Sequence, residues 1–130
     1  MSQENVALAR RAYIAFNRRD LDAFLALIDH EVDFTTRLIG AGSYHGHDGV
    51  RAWWHEVLDV FPDLTIDVAD IRLVGDVTVN HIRLRGHGSD SNAPFDEAAW
   101  MVGRWRDGKN VLWDTYPTEA EALEAAGLSE

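Results

Sequence analysis

Over residues 64–116 apolar side chains alternate with polar ones, whereas over 6–61 they recur mainly at three- and four-residue spacing. Alternation marks strands with one buried face, and the longer spacing marks amphipathic helices. Helices grouped ahead of strands pack as two layers around one core, an α+β architecture.

The helical half has its own punctuation. Val6, Ala9, Tyr13 and Phe16 form one stripe, with Ser2 and Glu4 suited to a first turn and Arg18 and Arg19 to a last one. Asp20 is placed to cap a second helix carrying Leu21, Phe24, Leu25 and Ile28. Val32, Phe34, Thr36 and Leu38 then alternate with Asp33, Thr35 and Arg37, which predicts a strand. Gly40-Ala41-Gly42-Ser43 reads as a loop. Val50, Trp53, Trp54, Val57, Leu58 and Phe61 mark a third helix, capped near His47 or Asp48 and stopped by Pro62.

In the strand half, Leu64, Ile66 and Val68 share one parity and Ile71 and Leu73 the other, so a β-bulge is expected near Ala69. Gly75-Asp76 turns the chain into a strand over 77–86. The polar loop GHGSDSNAP precedes a strand over 95–106, and Asp107-Gly108 is a hairpin signal leading to a strand over 109–116. Thr118 and Glu121 form a capping box for a short closing helix that ends near Gly127. Three helices on one face of a long, bent antiparallel sheet predict a cone with a pocket inside.

With 130 residues, 46% of them hydrophobic, the chain is expected to form one domain over 1–130 that buries roughly two thirds of its unfolded surface. Cysteine is absent, which excludes thiol nucleophiles and zinc–thiolate sites. A net charge of -10 opposes binding to nucleic acid. No stretch approaches the ~20 apolar residues of a membrane span. The opening MSQENVALARRAYIAF puts charge where a signal peptide needs an apolar run, so a cytoplasmic protein with no membrane partner is expected.

The segments FNRRDLDAFLALIDHEVDF, YHGHDGVRAWW, RWRDGK and EALEAAGL, in this order, resemble the nuclear-transport-factor-2-like superfamily, and within it the SnoaL-like family. The resemblance spans almost the whole chain. It implies a cone-shaped, cystatin-like roll, a homodimer formed through the outer face of the sheet, and a small apolar organic molecule as partner. It does not imply one activity, because the superfamily includes isomerases, epoxide hydrolases, polyketide cyclases, dehydratases and ligand binders. In ketosteroid isomerases a tyrosine and a protonated aspartate hold the oxyanion and a second aspartate moves the proton. The aligned positions here carry Ala12, Met101 and Thr36, with Tyr13 and Asp33 nearby. The acid that projects from the last strand of cyclase-like and epoxide-hydrolase-like members aligns with Thr115, next to Asp114.

The candidate pocket set is Tyr13, Phe34, Trp53, Trp54, Met101 and Trp113, with Thr36, Asn80 and Thr115 as inward polar groups that either bond within the fold or meet a ligand. Proton transfer near neutral pH needs a histidine or a desolvated carboxylate. The candidates are Asp114, Glu97, which shares parity with Met101, Asp33, which Val32 and Phe34 push outward, and His81, which faces outward unless its strand is flipped. A flip would bring His81, Arg83 and Arg85 inside as an anion-binding wall; otherwise Arg83, Arg85, Arg104 and Arg106 form an exposed ladder beside acidic neighbours. His45, His47 and Asp48 are too few for a metal centre, and neither a nucleophile elbow nor a phosphate-binding glycine loop is present, so no metal or cofactor is expected. Two functions fit: a cofactor-free acid–base enzyme acting on a small apolar molecule, or a binding protein for such a molecule. An enzyme should place a carboxylate or histidine with a shifted pKa in the pocket; a binder need show only apolar and neutral polar lining.

Overall fold

A computed structural model describes residues 2–36 and 42–127. Helices α1 (Ser2–Asn17) and α2 (Leu21–Ala26) lead into β1 (Ile28–Thr36) and β2 (Gly42–His45). Helix α3 (Gly46–Val60), strands β3 (Thr65–Val74), β4 (Val77–His87), β5 (Pro94–Arg106) and β6 (Lys109–Tyr116), and helix α4 (Glu119–Ala125) complete the chain. The six strands form one curved sheet in the order β2-β1-β6-β5-β4-β3, antiparallel except where β1 runs parallel to β6. Among the described residues no helix is long and apolar enough to cross a membrane.

The local signals explain most of the boundaries. Asp20 caps α2 by accepting the Ala23 N–H at 3.1 Å, and Thr118 caps α4 by accepting the Glu121 N–H at 3.3 Å. The β3–β4 register slips between Val68 and Asp70, where the change of parity predicts a bulge. At the β5–β6 turn both Asp107 and Gly108 have positive φ, 54° and 77°, as a type I′ hairpin requires.

Three expectations need correction. Ile28 belongs to the start of β1 rather than to α2, because α2 stops at Ala26 and the Leu27 carbonyl accepts the Asn110 N–H from β6 at 2.9 Å. Gly42 and Ser43 form β2 rather than a loop; they pair with Thr36 and Thr35, while Arg37, Leu38, Gly40 and Ala41 lie outside the described residues. Helix α3 is not capped by the side chains of His47 or Asp48. It begins at Gly46 with His45 as an N-cap that makes no side-chain cap bond. His47 instead donates from Nε2 to the Ile28 carbonyl at 2.7 Å, and Asp48 pairs with Arg51 at 2.9 Å. Gly46 permits this tight entry: its φ is +70°, and a Cβ there would stand 3.0 Å from the His30 carbonyl oxygen.

His45 ties β2 to β1. Its Nδ1 lies 3.0 Å from Asp33 Oδ1 and its Nε2 3.1 Å from Glu31 Oε1. These bonds, to Asp33 first and Glu31 second, raise the imidazole pKa above its ordinary value. A raised native pKa favours folding fully below ~6.5, the unperturbed value, and that contribution is lost as pH rises through the native value. An NMR titration of the His45 ring should therefore show a midpoint above ~6.5 that falls in Asp33→Asn. A midpoint at or below the unperturbed value would contradict the bridge.

Helices α1, α2 and α3 cover the concave face of the sheet, and α4 covers part of the convex face. The main core gathers Phe16, Phe24, Phe34, Trp53, Trp54 and Trp113 with the aliphatic residues of β1, β3 and β4. A smaller cluster of Val77, Val79, Val102 and Ala122 lies beneath α4. Asn17 fastens α1 to β3: its Nδ2 donates to the Ile66 carbonyl and its Oδ1 accepts the Ile66 N–H, both at 2.9 Å.

Candidate functional site

The concave face of the sheet puts Thr36, Asn80, Met101, Trp113 and Thr115 in the interior, all buried, facing Tyr13 of α1 and Trp53 of α3. The strand registers bring the polar positions together: Asn80 of β4 is opposite Met101 of β5, which is opposite Thr115 of β6. Asn80 Nδ2 donates to the Tyr13 hydroxyl at 2.7 Å, and that hydroxyl donates to the Met101 thioether sulfur at 3.2 Å. Burial pushes the Tyr13 phenol well above its usual pKa, with the Asn80 bond opposing. Tyr13 is thus a neutral hydrogen-bond donor, not a base.

Aromatic rings occupy most of the space between helices and sheet. Trp113 lies 4.7 Å from Phe34, 5.2 Å from Phe24 and 5.7 Å from Trp53, centroid to centroid. Trp54 packs against Phe16 at 5.1 Å and Phe24 at 5.2 Å. The interior is therefore tighter than an open cone implies. Two voids of about 20 Å³ each, close to the space one water needs, lie within it.

The first void lies between α1 and the sheet, against Ala9, Ala12, Tyr13, Asn80, Asn110 and Trp113. The second lies toward α3, against Phe34, Thr36, Trp53, Leu64 and Thr115. Met101 borders both. Trp54 is absent from both linings and serves the aromatic core.

Three buried polar atoms have no hydrogen-bond partner among the described residues: Asn80 Oδ1, Asn110 Oδ1 and Trp113 Nε1. All three belong to residues lining the first void. Turning the Asn80 amide over only exchanges which heteroatom bonds to Tyr13 and which is left over. The neighbouring indole shows the contrast, because Trp105 Nε1 donates to Thr78 Oγ1 at 3.0 Å. Buried polar groups in native proteins are nearly always paired, so these three atoms stand apart from the rest of the interior.

Asn110 lines the first void, a position that sequence parity does not reveal. Asn110 pairs with Trp105 and Leu112 with Arg104, so β6 has one extra residue at Val111 and the parity slips. The slip turns Asn110 inward, where its Nδ2 donates to the Arg104 and Leu112 carbonyls at 3.3 and 3.1 Å. The adjacent hairpin signal is the available hint, since bulges gather at strand ends.

The four proton-transfer candidates all lie away from the voids. Asp33 is exposed and bonded to His45. Glu97 shares the parity of Met101, yet its side chain is exposed, between buried Ala99 and a Phe95 that packs on Phe61. Asp114 is half-buried on the convex face, opposite Val102, with the Tyr116 hydroxyl donating to its Oδ2 at 3.4 Å. His81 is also on the convex face, stacked on Trp100 at 4.7 Å with an interplanar angle of 5°. The sheet is not flipped, so Arg83 and Arg85 point outward and pair with Asp96 at 2.6 Å and Asp67 at 3.0 Å. Among the described residues no group of three or more histidine, aspartate or glutamate side chains is placed to hold a metal ion.

The SnoaL-like domain pattern matches residues 9–113, from the middle of α1 to Trp113. The chain belongs to the SnoaL-like family. An NTF2-like protein of unknown function from Burkholderia pseudomallei is 26% identical, with a TM-score of 0.81 over 95% of this chain and 97% of that one. A putative SnoaL-like polyketide cyclase from Jannaschia is 16% identical, with a TM-score of 0.79 over 99% of this chain and 94% of that one. A protein with a ketosteroid isomerase-like fold from Catenulispora acidiphila, in complex with trimethylamine, is 14% identical, with a TM-score of 0.77 over 93% of this chain and 92% of that one. No functionally curated protein matches this SnoaL-like chain.

Proposed function

We propose that this SnoaL-like protein binds a small, mainly apolar organic molecule in the interior between α1, α3 and the concave face, and that it holds the molecule without itself moving a proton. The observation that carries this reading is the first void, whose mainly apolar and aromatic lining includes the three residues that carry unpartnered polar atoms. Each orphan costs about 1–3 kcal/mol, which an occupant with matching polar atoms offsets.

Acid–base catalysis has less support. Among the described residues neither void has a carboxylate or histidine in its lining. The ionisable group in the first lining, Tyr13, is held neutral by burial.

Calorimetric titration with toluene, phenol and indole, alongside thermal melts, tests the reading. At least one should bind saturably at one site per chain and raise Tm as its concentration increases, because a ligand specific for the native state stabilises it by mass action. Failure of all three to bind or to shift Tm would rule the reading out.

We also propose a homodimer formed through the convex face. Supporting this, Trp100 is only half-buried there, beside a cleft of about 90 Å³ lined by Asp70, Arg72, His81 and Glu119. A large aromatic next to unfilled space, ringed by charges of both signs, suits the centre of a self-complementary contact. Light scattering should give twice the chain mass, and Trp100→Glu should return the monomer; a monomeric wild-type protein at micromolar concentration contradicts it.

A further inference from the structure

The two voids differ in chemistry and share one wall. Residues that line the first carry two acceptors without donors, Asn80 Oδ1 and Asn110 Oδ1, and one donor without an acceptor, Trp113 Nε1–H. The second is lined mainly by rings and aliphatic side chains, Phe34, Trp53, Leu64 and Ile82 among them. Between them lies the unbranched side chain of Met101, whose polar contact is the 3.2 Å bond accepted from Tyr13. A thioether accepts weakly and methionine has several rotatable bonds, so this wall is the easiest part of the interior to move.

Resting on the binding reading above, we infer that the interior is a two-lobed site for a flat organic alcohol, a phenol in its simplest form. The hydroxyl occupies the first void and the ring takes the place of the Met101 side chain toward the second. A void of about 20 Å³ fits one oxygen-sized group. A hydroxyl suits it chemically because it both donates to an asparagine oxygen and accepts from the Trp113 indole. A ketone or ether accepts only and leaves both asparagine oxygens unpaired, and a methyl group leaves all three atoms unpaired. Displacing Met101 also frees the Tyr13 hydroxyl to donate to the same oxygen.

The test compares phenol, anisole and toluene, which share a ring and differ in the polar group, by calorimetric titration of wild-type protein and of Met101→Ala. Phenol should bind wild type at least tenfold more tightly than toluene, although toluene is the more hydrophobic, with anisole well below phenol. Met101→Ala should bind phenol at least tenfold more tightly than wild type, because the wall no longer has to move. Should that variant fail to fold, Met101→Leu keeps the volume with a stiffer side chain and should weaken phenol binding while preserving the phenol-to-toluene ratio. Toluene or anisole binding as tightly as phenol overturns the inference while leaving the binding reading intact. So does an affinity for phenol that is the same in wild type and Met101→Ala. Absence of binding by any of the three to either protein overturns the inference, and the binding reading falls with it if indole also fails to bind.

Discussion

Replacing Phe24 with alanine will lower the free energy of unfolding by about 3–5 kcal/mol, the range for removing a large ring from a core that cannot collapse into the gap. Phe24 is fully buried and lies at the junction of the aromatic cluster, 5.2 Å from Trp54 and from Trp113 and 6.3 Å from Trp53. These neighbours come from α3 and β6, so the ring holds α2 to both layers. Their large, rigid side chains leave little room for relaxation. Urea unfolding should show a lower midpoint with an unchanged m-value. A loss below ~1 kcal/mol would mean that the cluster repacks freely and is not the rigid frame described above.

The second large effect depends on pH. Asn80 is 3% exposed, so Asn80→Asp puts a carboxyl of nearly the same shape into a buried site. Burial without a counter-charge raises its native pKa above the unfolded value of ~3.9. Near pH 4 the variant should therefore approach wild-type stability. As pH rises, the unfolded chain ionises while the native carboxyl stays protonated. The deficit then grows by about 1.4 kcal/mol per pH unit until the native pKa is reached, or up to ~4 kcal/mol by pH 7. Paired urea melts of variant and wild type at pH 4 and 7 measure it. A deficit equal at both pH values would place residue 80 in contact with water and undo the face assignment of β4.

That face assignment shows how far local sequence reaches. The parity of β4 and β5 is unbroken over Asn80 and Met101, so their inward direction, and that of Thr115, is legible in the alternation of residue types alone. Asp20, Thr118 and the slip near Ala69 are equally legible, because caps and bulges depend on a few adjacent residues. What escapes the sequence is set by partners far along the chain. Gly42–His45 is a strand because β1 lies alongside it, and β1 pairs with β6 in parallel across most of the molecule. Asn110 faces inward only through an extra residue at Val111 whose effect depends on the register with β5. Glu97 has the inner parity but is exposed, which alternation alone does not reveal. The volume of the interior is also not local. The aromatic positions on each element are evident, but whether their rings enclose space or fill it depends on the angles between elements, and here they fill nearly all of it.

Ligand binding in this interior depends on the small void beside Tyr13 receiving the ligand's hydroxyl. A crystal structure of the protein grown with phenol tests this most directly. The expected result is a phenol oxygen within hydrogen-bond distance of Trp113 Nε1 and of Asn80 or Asn110, with the Met101 side chain moved off its Tyr13 bond. An interior unchanged at saturating phenol, with Met101 still against Tyr13, would contradict it.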